Sequence, residues 1–382
     1  MVKRIPLDNV CAKKIPTLSS QYDGLIDYVD ISSVDNAEKR IVSMQCVSAK
    51  EAPSRAKQLL EVGDILVSTV RPNLNAVAMV ERQTDNLLVG STGYCVLRCN
   101  DSIDKRYVFH FCQSPYFIND MTSQAAGASY PAVSSGIVKS STIPDHPIEK
   151  QKLIADCLDK VSELIALRKE QLAKLDQLVK SRFIELIQSN NPRYVKLKDV
   201  VEEGRIITYG IVKPGEHTEG GVPIIKVKDF PNGTILMNDM LLASPEIESK
   251  YERSRVKEGD LLFSIRGSVG RTAFVPKSLI GANITQDTAR VSVGTDFNPH
   301  YIRAALGFDS VQKEINEHVR GVAVRGISLA ELREIGIPVL EKKTQDEFGR
   351  FVEQTDKSKL AIQQSLEKLE LLKKSLMQEY FG

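Results

Sequence analysis

Residues 141–161, STIPDHPIEKQKLIADCLDKV, return in altered form at residues 335–355 as IGIPVLEKKTQDEFGRFVEQT. Ile143-Pro144 becomes Ile337-Pro338, 194 positions on, and Gln151 becomes Gln345 at the same offset. The offset holds without a gap through Lys174-Leu175 and Lys368-Leu369, Leu178 and Leu372, and Lys180-Ser181 and Lys374-Ser375. An internal duplication outranks any local reading of secondary structure, because it sets the architecture.

The duplicated stretch has the pattern of a helix. No Pro or Gly occurs from residue 149 to residue 188. Apolar residues recur there in alternating steps of four and three: Ile154, Leu158, Val161, Ile165, then Leu172, Leu175 and Val179, interrupted by Arg168. The second copy keeps the frame with Phe348, Val352, Ile362, Leu366, Leu369 and Leu376. Such a seam over several heptads predicts a coiled coil. Pro144 and Pro338 fit boundaries just before each helix. Forty helical residues span roughly 60 Å, more than a small domain covers. Two such helices in one chain are expected to pair antiparallel; the competing reading packs each on its own globular domain.

Outward from the helices the copies drift. Residues 5–10, IPLDNV, match residues 195–200, VKLKDV, at an offset of 190. Residues 61–72, EVGDILVSTVRP, match residues 257–268, KEGDLLFSIRGS, at an offset of 196. Gly63-Asp64 and Gly259-Asp260 are turn signals. Behind them Ile65, Val67 and Thr69, and Leu261, Phe263 and Ile265, alternate as in a half-buried strand. The reading is a mixed α/β fold: a globular part at 1–148, a helical spacer at 149–190, a second globular part at 191–340 and a second spacer at 341–382.

Composition bounds the function. The chain has 382 residues, 42% hydrophobic and 26% charged, as in ordinary globular proteins. No run approaches a membrane span, and no apolar segment follows the basic start MVKRIPLDNV, so a cytoplasmic location is expected. The six cysteines all lie in the first half and form no C-x-x-C pair. A disulfide or zinc site in a duplicated chain would recur, so reduced and mostly buried thiols are expected. Net charge is +2, with 15 basic and 15 acidic residues in 1–148 and 20 and 19 in 189–340. Bulk charge therefore gives no argument for nucleic-acid binding, which must rest on local clusters or on partners.

Catalytic patterns fail in detail. Residues 191–194 read Asn-Pro-Arg-Tyr, where an adenine methyltransferase needs a tetrapeptide of the Asn-Pro-Pro-Tyr kind. Residues 321–328 give G-x-x-x-x-G-I-S, with Ile327 where a phosphate loop needs lysine. Pro144-Asp145 followed by Glu149 and Lys152 hints at a nuclease core, but the Glu–Lys spacing is one residue too long. The five histidines show no metal-ligand spacing. The expectation is no catalytic residue, no metal and no cofactor.

Polar loop chemistry does recur at matched places. The Gly-Asp strands lead into Arg71, Asn73 and Asn75, and into Arg266, Ser268 and Arg271. Then come Ser91 and Thr92 in one copy and Asn283, Thr285 and Gln286 in the other. Small-residue exit loops add Ser129 and Tyr130, then Arg320 and Arg325. Arginine can bond guanine bidentately, and Asn or Gln can do so with adenine. Gly and Ser let backbone approach phosphate.

With these residues in place, the whole chain resembles the specificity subunit of type I restriction–modification enzymes. The twin GDILVSTVRP and GDLLFSIRGS strands carry the resemblance, with the exit GASYPAVSSGIVKSSTIPDHPIEKQKLIA at 127–155 and the helices LAKLDQLVKSRF and SLEKLELLKKSLM. The second exit, RGVAVRGIS, departs from it by lacking the Ser-Tyr-Pro of the first. The resemblance implies two target-recognition domains at opposite ends of an antiparallel helical spacer, each reading half of a bipartite double-stranded DNA target. It implies that the helices dock two methyltransferase subunits, joined by translocase–nuclease subunits, and that S-adenosylmethionine, ATP and magnesium bind those partners. It implies a subunit with no catalysis of its own. The rival is a non-catalytic coiled-coil scaffold with two protein- or sugar-binding modules.

Overall fold

A computed structural model describes residues 2–127, 129–321 and 325–382. It divides the chain into two compact units, one of Met1–Gln171 with Ile362–Gly382, the other Leu172–Ala361.

The first unit is built around the strand Ile65–Ser68, flanked antiparallel by Tyr94–Leu97 and Val77–Met79. A second sheet runs in the order Gln45–Ser48, Leu25–Val29, Leu87–Ser91, Ala56–Leu59. Its central pair, Leu25–Val29 and Leu87–Ser91, is parallel. The second unit repeats this plan. Leu261–Ser264 lies between Thr288–Val291 and Thr272–Phe274, again antiparallel. In its other sheet Val222–Ile225 pairs parallel with Asn283–Ile284 and antiparallel with Leu241–Ala243.

The Gly-Asp strands are buried along their whole length, not half-buried as the alternation suggested. Each lies between two cores. Ile65 and Val67 face Leu7, Tyr107 and Phe111, while Leu66 faces Val29, Leu88 and Tyr94. Leu261 and Phe263 face Leu197 and Tyr301, while Leu262 faces Phe230 and Ile284. The turn before each strand explains its dipeptide. Gly63 and Gly259 sit at φ +97° and +80°, a conformation glycine adopts without steric cost. The aspartate then closes the turn on itself. The Glu61 amide donates to Asp64 Oδ2 at 2.9 Å, and the Lys257 amide donates to Asp260 Oδ2 at 2.8 Å.

The duplicated helices run Ile148–Ser189 and Lys342–Phe381. In the first unit Ile154 and Leu158 share a core with Met377 and Phe381, while Lys169 meets Glu370 at 3.6 Å. In the second, Asp176 meets Lys359 at 2.6 Å, and the Phe183 and Phe348 rings lie 5.5 Å apart. Within each unit, numbers rise on one helix as they fall on the other, so the pairing is antiparallel. Of the seam, Ile154, Leu158, Val161, Phe348, Val352 and Leu366 are buried. Ile165, Leu172, Leu175, Val179, Ile362, Leu369 and Leu376 are half-buried.

Two repeated contacts lock each helix start to its globular part. Tyr107 donates its hydroxyl to the Pro144 carbonyl at 3.1 Å, and Tyr301 does the same to Pro338 at 3.1 Å. Gln151 accepts from the Asp104 amide at 2.9 Å and donates to the His146 carbonyl at 2.7 Å. Gln345 accepts from the Asn298 amide at 3.0 Å and donates to the Leu340 carbonyl at 2.8 Å. Of the six cysteines, Cys11, Cys95 and Cys112 are buried and Cys46 is exposed; all six are free thiols.

Candidate nucleic-acid interface

In each unit three loops converge where the Gly-Asp strand ends. In the first, the Thr69 amide donates to Gly93 at 2.9 Å, the Arg71 amide to Pro131 at 2.7 Å, and the Val133 amide to Thr69 at 2.9 Å. In the second, the Ile265 amide donates to Asp287 at 2.8 Å, the Gly267 amide to Arg325 at 2.9 Å, and the Ile327 amide to Ile265 at 2.9 Å. The bonds match one for one. They also fix a register: Arg71 corresponds to Gly267, and Arg266 to Val70. The two arginines that seemed equivalent in sequence leave the strand one residue apart.

The first unit presents an aromatic–cation pair. The Arg71 guanidinium lies 4.7 Å from the centre of the Tyr130 ring, and Tyr130 is 68% exposed. Asn73, Thr92 and Ser129 are exposed beside the same loops. Asn75 and Ser91 turn inward. Asn75 donates its amide to the Cys112 carbonyl at 2.8 Å and accepts from the Lys39 ammonium at 2.9 Å. The buried Ser91 hydroxyl accepts from the Gly93 amide at 3.3 Å.

The second unit gathers Arg266, Gln286 and Arg320 around an open hollow of about 700 Å³, joined there by Asp287 and Glu331. Arg266 stands 4.0 Å from Asp287. Ser268 and Arg325 are exposed on adjoining turns, and Arg271 is half-buried. Asn283 and Thr285 are buried. Asn283 donates to Glu248 and to the Tyr251 carbonyl, each at 3.0 Å, and accepts from the Ser254 hydroxyl at 2.7 Å. Its amide has no edge left for a base. Ala128 and residues 322–324, within the two exit stretches, lie outside the described residues.

The hollow adds Asp287 and Glu331, which the sequence reading missed. Carboxylates accept from the exocyclic amine of cytosine, so this unit carries donors and acceptors together. The first unit carries mainly donors and a stacking ring. Among the described residues no cluster of His, Cys, Asp and Glu could hold a metal, and no helix is long and apolar enough to cross a membrane.

A family model described as the type I restriction modification DNA specificity domain matches twice, over residues 7–177 and 191–372. The chain is 24% identical over 314 residues to the type I restriction enzyme EcoBI specificity subunit of Escherichia coli, a match covering 74% of this chain and 66% of that one. It therefore spans just under two thirds of that relative's length. It is 22% identical to the EcoKI specificity subunit of Escherichia coli K12, over 86% of this chain and 75% of that one. Two solved structures share the fold at TM-score 0.60. One, from work on complex assembly and conformational transition of the type I R-M system, is 23% identical over 99% of this chain and 97% of that chain. The other, a type I restriction-modification S subunit from M. genitalium, is 14% identical over 100% of this chain and 96% of that one. With both halves matched by the same model and both folded on the same plan, the chain belongs to the type I restriction modification DNA specificity family.

Proposed function

We propose that this chain is the DNA-reading subunit of a type I restriction–modification enzyme, each unit reading one half of a split double-stranded target. The observation that carries this is the twin three-loop assembly. One backbone scaffold is hydrogen-bonded alike in both units but tipped with different side chains, Arg71, Asn73 and Tyr130 in one, Arg266, Gln286, Asp287 and Arg320 in the other. A reader of one repeated sequence would have no need of two chemistries.

The long helices supply the docking surface for methyltransferase subunits. Their seam residues are turned into each unit, so a partner meets the other faces. Leu164, Leu167, Leu178, Leu360 and Leu371 stand exposed there, apolar groups that a docked partner would cover. Methyl transfer, translocation and cleavage belong to the partners, which bind S-adenosylmethionine, ATP and magnesium. Balanced charge in both globular parts fits a reader held on DNA by those partners.

The test is to express the chain with its methyltransferase subunits and sequence the methylated bases. A motif of two specified halves around an unspecified gap is expected, with no methyl transfer by the chain alone. Continuous or absent sequence preference would overturn the reading.

A further inference from the structure

The duplication produced a second pair of matched features, apart from the reading loops. In the first unit a hollow of about 270 Å³ lies between the long helices and the start of the helix Pro115–Ser123. In the second unit a hollow of about 490 Å³ has the same place. At the offset of 194, Gln113 matches Gly307, Ile165 matches Lys359, Glu370 matches Asp176, Lys374 matches Lys180 and Met377 matches Phe183. These are two copies of one pocket whose charge has diverged.

In the second unit the pocket is balanced. Arg303, Lys180 and Lys359 face Asp176, Asp309 and Asp356. Lys359 is paired with Asp176 at 2.6 Å and with Asp356 at 3.5 Å. In the first unit the lining sets Lys169, Lys373 and Lys374 against the single acid Glu370, with Asp159 acting on Lys373 from outside it. Val179 of the second pocket has become Lys373 here, and Asp309 has become Pro115. Lys39 adds a further cation beside Lys373: burial first, then the Lys373 charge, pushes it down to about 8. Burial and then the Lys169 charge also hold Lys373 below its ordinary value. Lys169 is paired with Glu370 and Lys374 is exposed, so the excess charge falls on the half-buried Lys39 and Lys373, where an anion would offset the repulsion.

This pocket is tied to the reading loop. The Lys39 ammonium donates to the Asn75 carbonyl at 2.5 Å and to its side-chain oxygen at 2.9 Å. Asn75 closes the short turn Pro72–Leu74, which Arg71 opens. Its amide reaches Cys112, the neighbour of the pocket residue Gln113. We propose that the hollow lined by Lys169, Lys373 and Lys374 receives a phosphate of the DNA backbone beside the bases met by the Arg71 loop, and that its twin in the second unit does not. The assignment rests on the reading of this loop as a DNA contact.

The test uses the complex with its methyltransferase subunits on duplexes with and without the target, titrated at several salt concentrations. Lys373→Gln combined with Lys374→Gln should lower the slope of log affinity against log salt by about one. The drop should be equal on both duplexes. Lys180→Gln, in the balanced twin, should leave the slope unchanged, and Lys374→Arg should keep it. Removing like charges relieves repulsion, so the double variant should keep its melting temperature. An unchanged slope in the double variant, with Arg71→Gly weakening binding, overturns the pocket and leaves the loop reading intact. If Arg71→Gly also binds normally, the loop reading itself has failed. Loss of the methyltransferase subunits from a folded double variant would make the pocket a site for an acidic protein group and overturn the phosphate assignment.

Discussion

Arg71 occupies a backbone conformation that its counterpart fills with glycine. Its φ is +50°, and Gly267 sits at +71°. A side chain in the left-handed region costs about 1–2 kcal/mol, which glycine avoids. Stacking on Tyr130 returns about 0.5–1 kcal/mol. Folding alone therefore gives no reason for arginine here, whereas the DNA contact proposed for it would; strain retained at a functional site is a known pattern. Arg71→Gly is expected to leave the melting temperature level or slightly raised. It should weaken target binding by about 1–3 kcal/mol if the contact is a bidentate base pair, with relaxed preference at one position of the motif. Lost stability with unchanged affinity, measured by melting and gel shift, would assign Arg71 to the fold. The same loop shows where sequence reading stops. Asn73 and Asn75 are two residues apart and chemically identical, yet one is exposed and the other is buried against Cys112. The αL turn at Asn75, φ +48°, sends its side chain inward, and no residue pattern announces that turn.

At the scale of elements, legibility followed length. A helical period sustained over forty residues without Pro or Gly fits no other regular structure, so the first long helix is legible directly and the second through the repeat. The strands run two to five residues, and their alternation misleads because each Gly-Asp strand lies between two cores. The repeated glutamine is visible as a match but its purpose is not: Gln151 and Gln345 each bridge an amide and a carbonyl at a helix start. Gln151 is 3% exposed, so Gln151→Ala would leave two backbone groups unpaired away from water. A cost of about 2–3 kcal/mol is expected. The chain has no tryptophan, so urea unfolding is best followed by circular dichroism. The first unit's transition should move to lower urea, and Gln345→Ala should move the second unit's. An unchanged midpoint would show that water replaces the glutamine.

For the whole molecule, the decisive property is that the two units share a plan but not a core. Among the described residues each apolar cluster draws on one unit only, Tyr107 and Phe111 with Phe381 in the first, Tyr301 with Phe183 and Phe348 in the second. Each globular part also enters and leaves through a paired neck. Arg193–Lys196 pairs antiparallel with Gly336–Val339, and the Leu197 amide donates to the Ile335 carbonyl at 2.9 Å. The first unit repeats this with Arg4–Pro6 against Thr142–Pro144 and Leu7 bonded to Ser141 at 3.0 Å. Residues 197–335 thus form an insert whose ends lie side by side, carrying Arg266, Gln286, Asp287, Arg320 and their scaffold but neither long helix. Replacing that insert with the matching segment of another family member should preserve assembly, since Val179, Phe348 and Val352 stay on the helices. It should change one half of the methylated motif and leave the other half as before, because the Arg71 and Tyr130 loop is untouched. Sequencing the methylated bases of cells carrying the exchange reads both halves at once. A change in both halves would mean that the units do not read independently. An active complex with neither half changed would remove the second set of loops from DNA altogether.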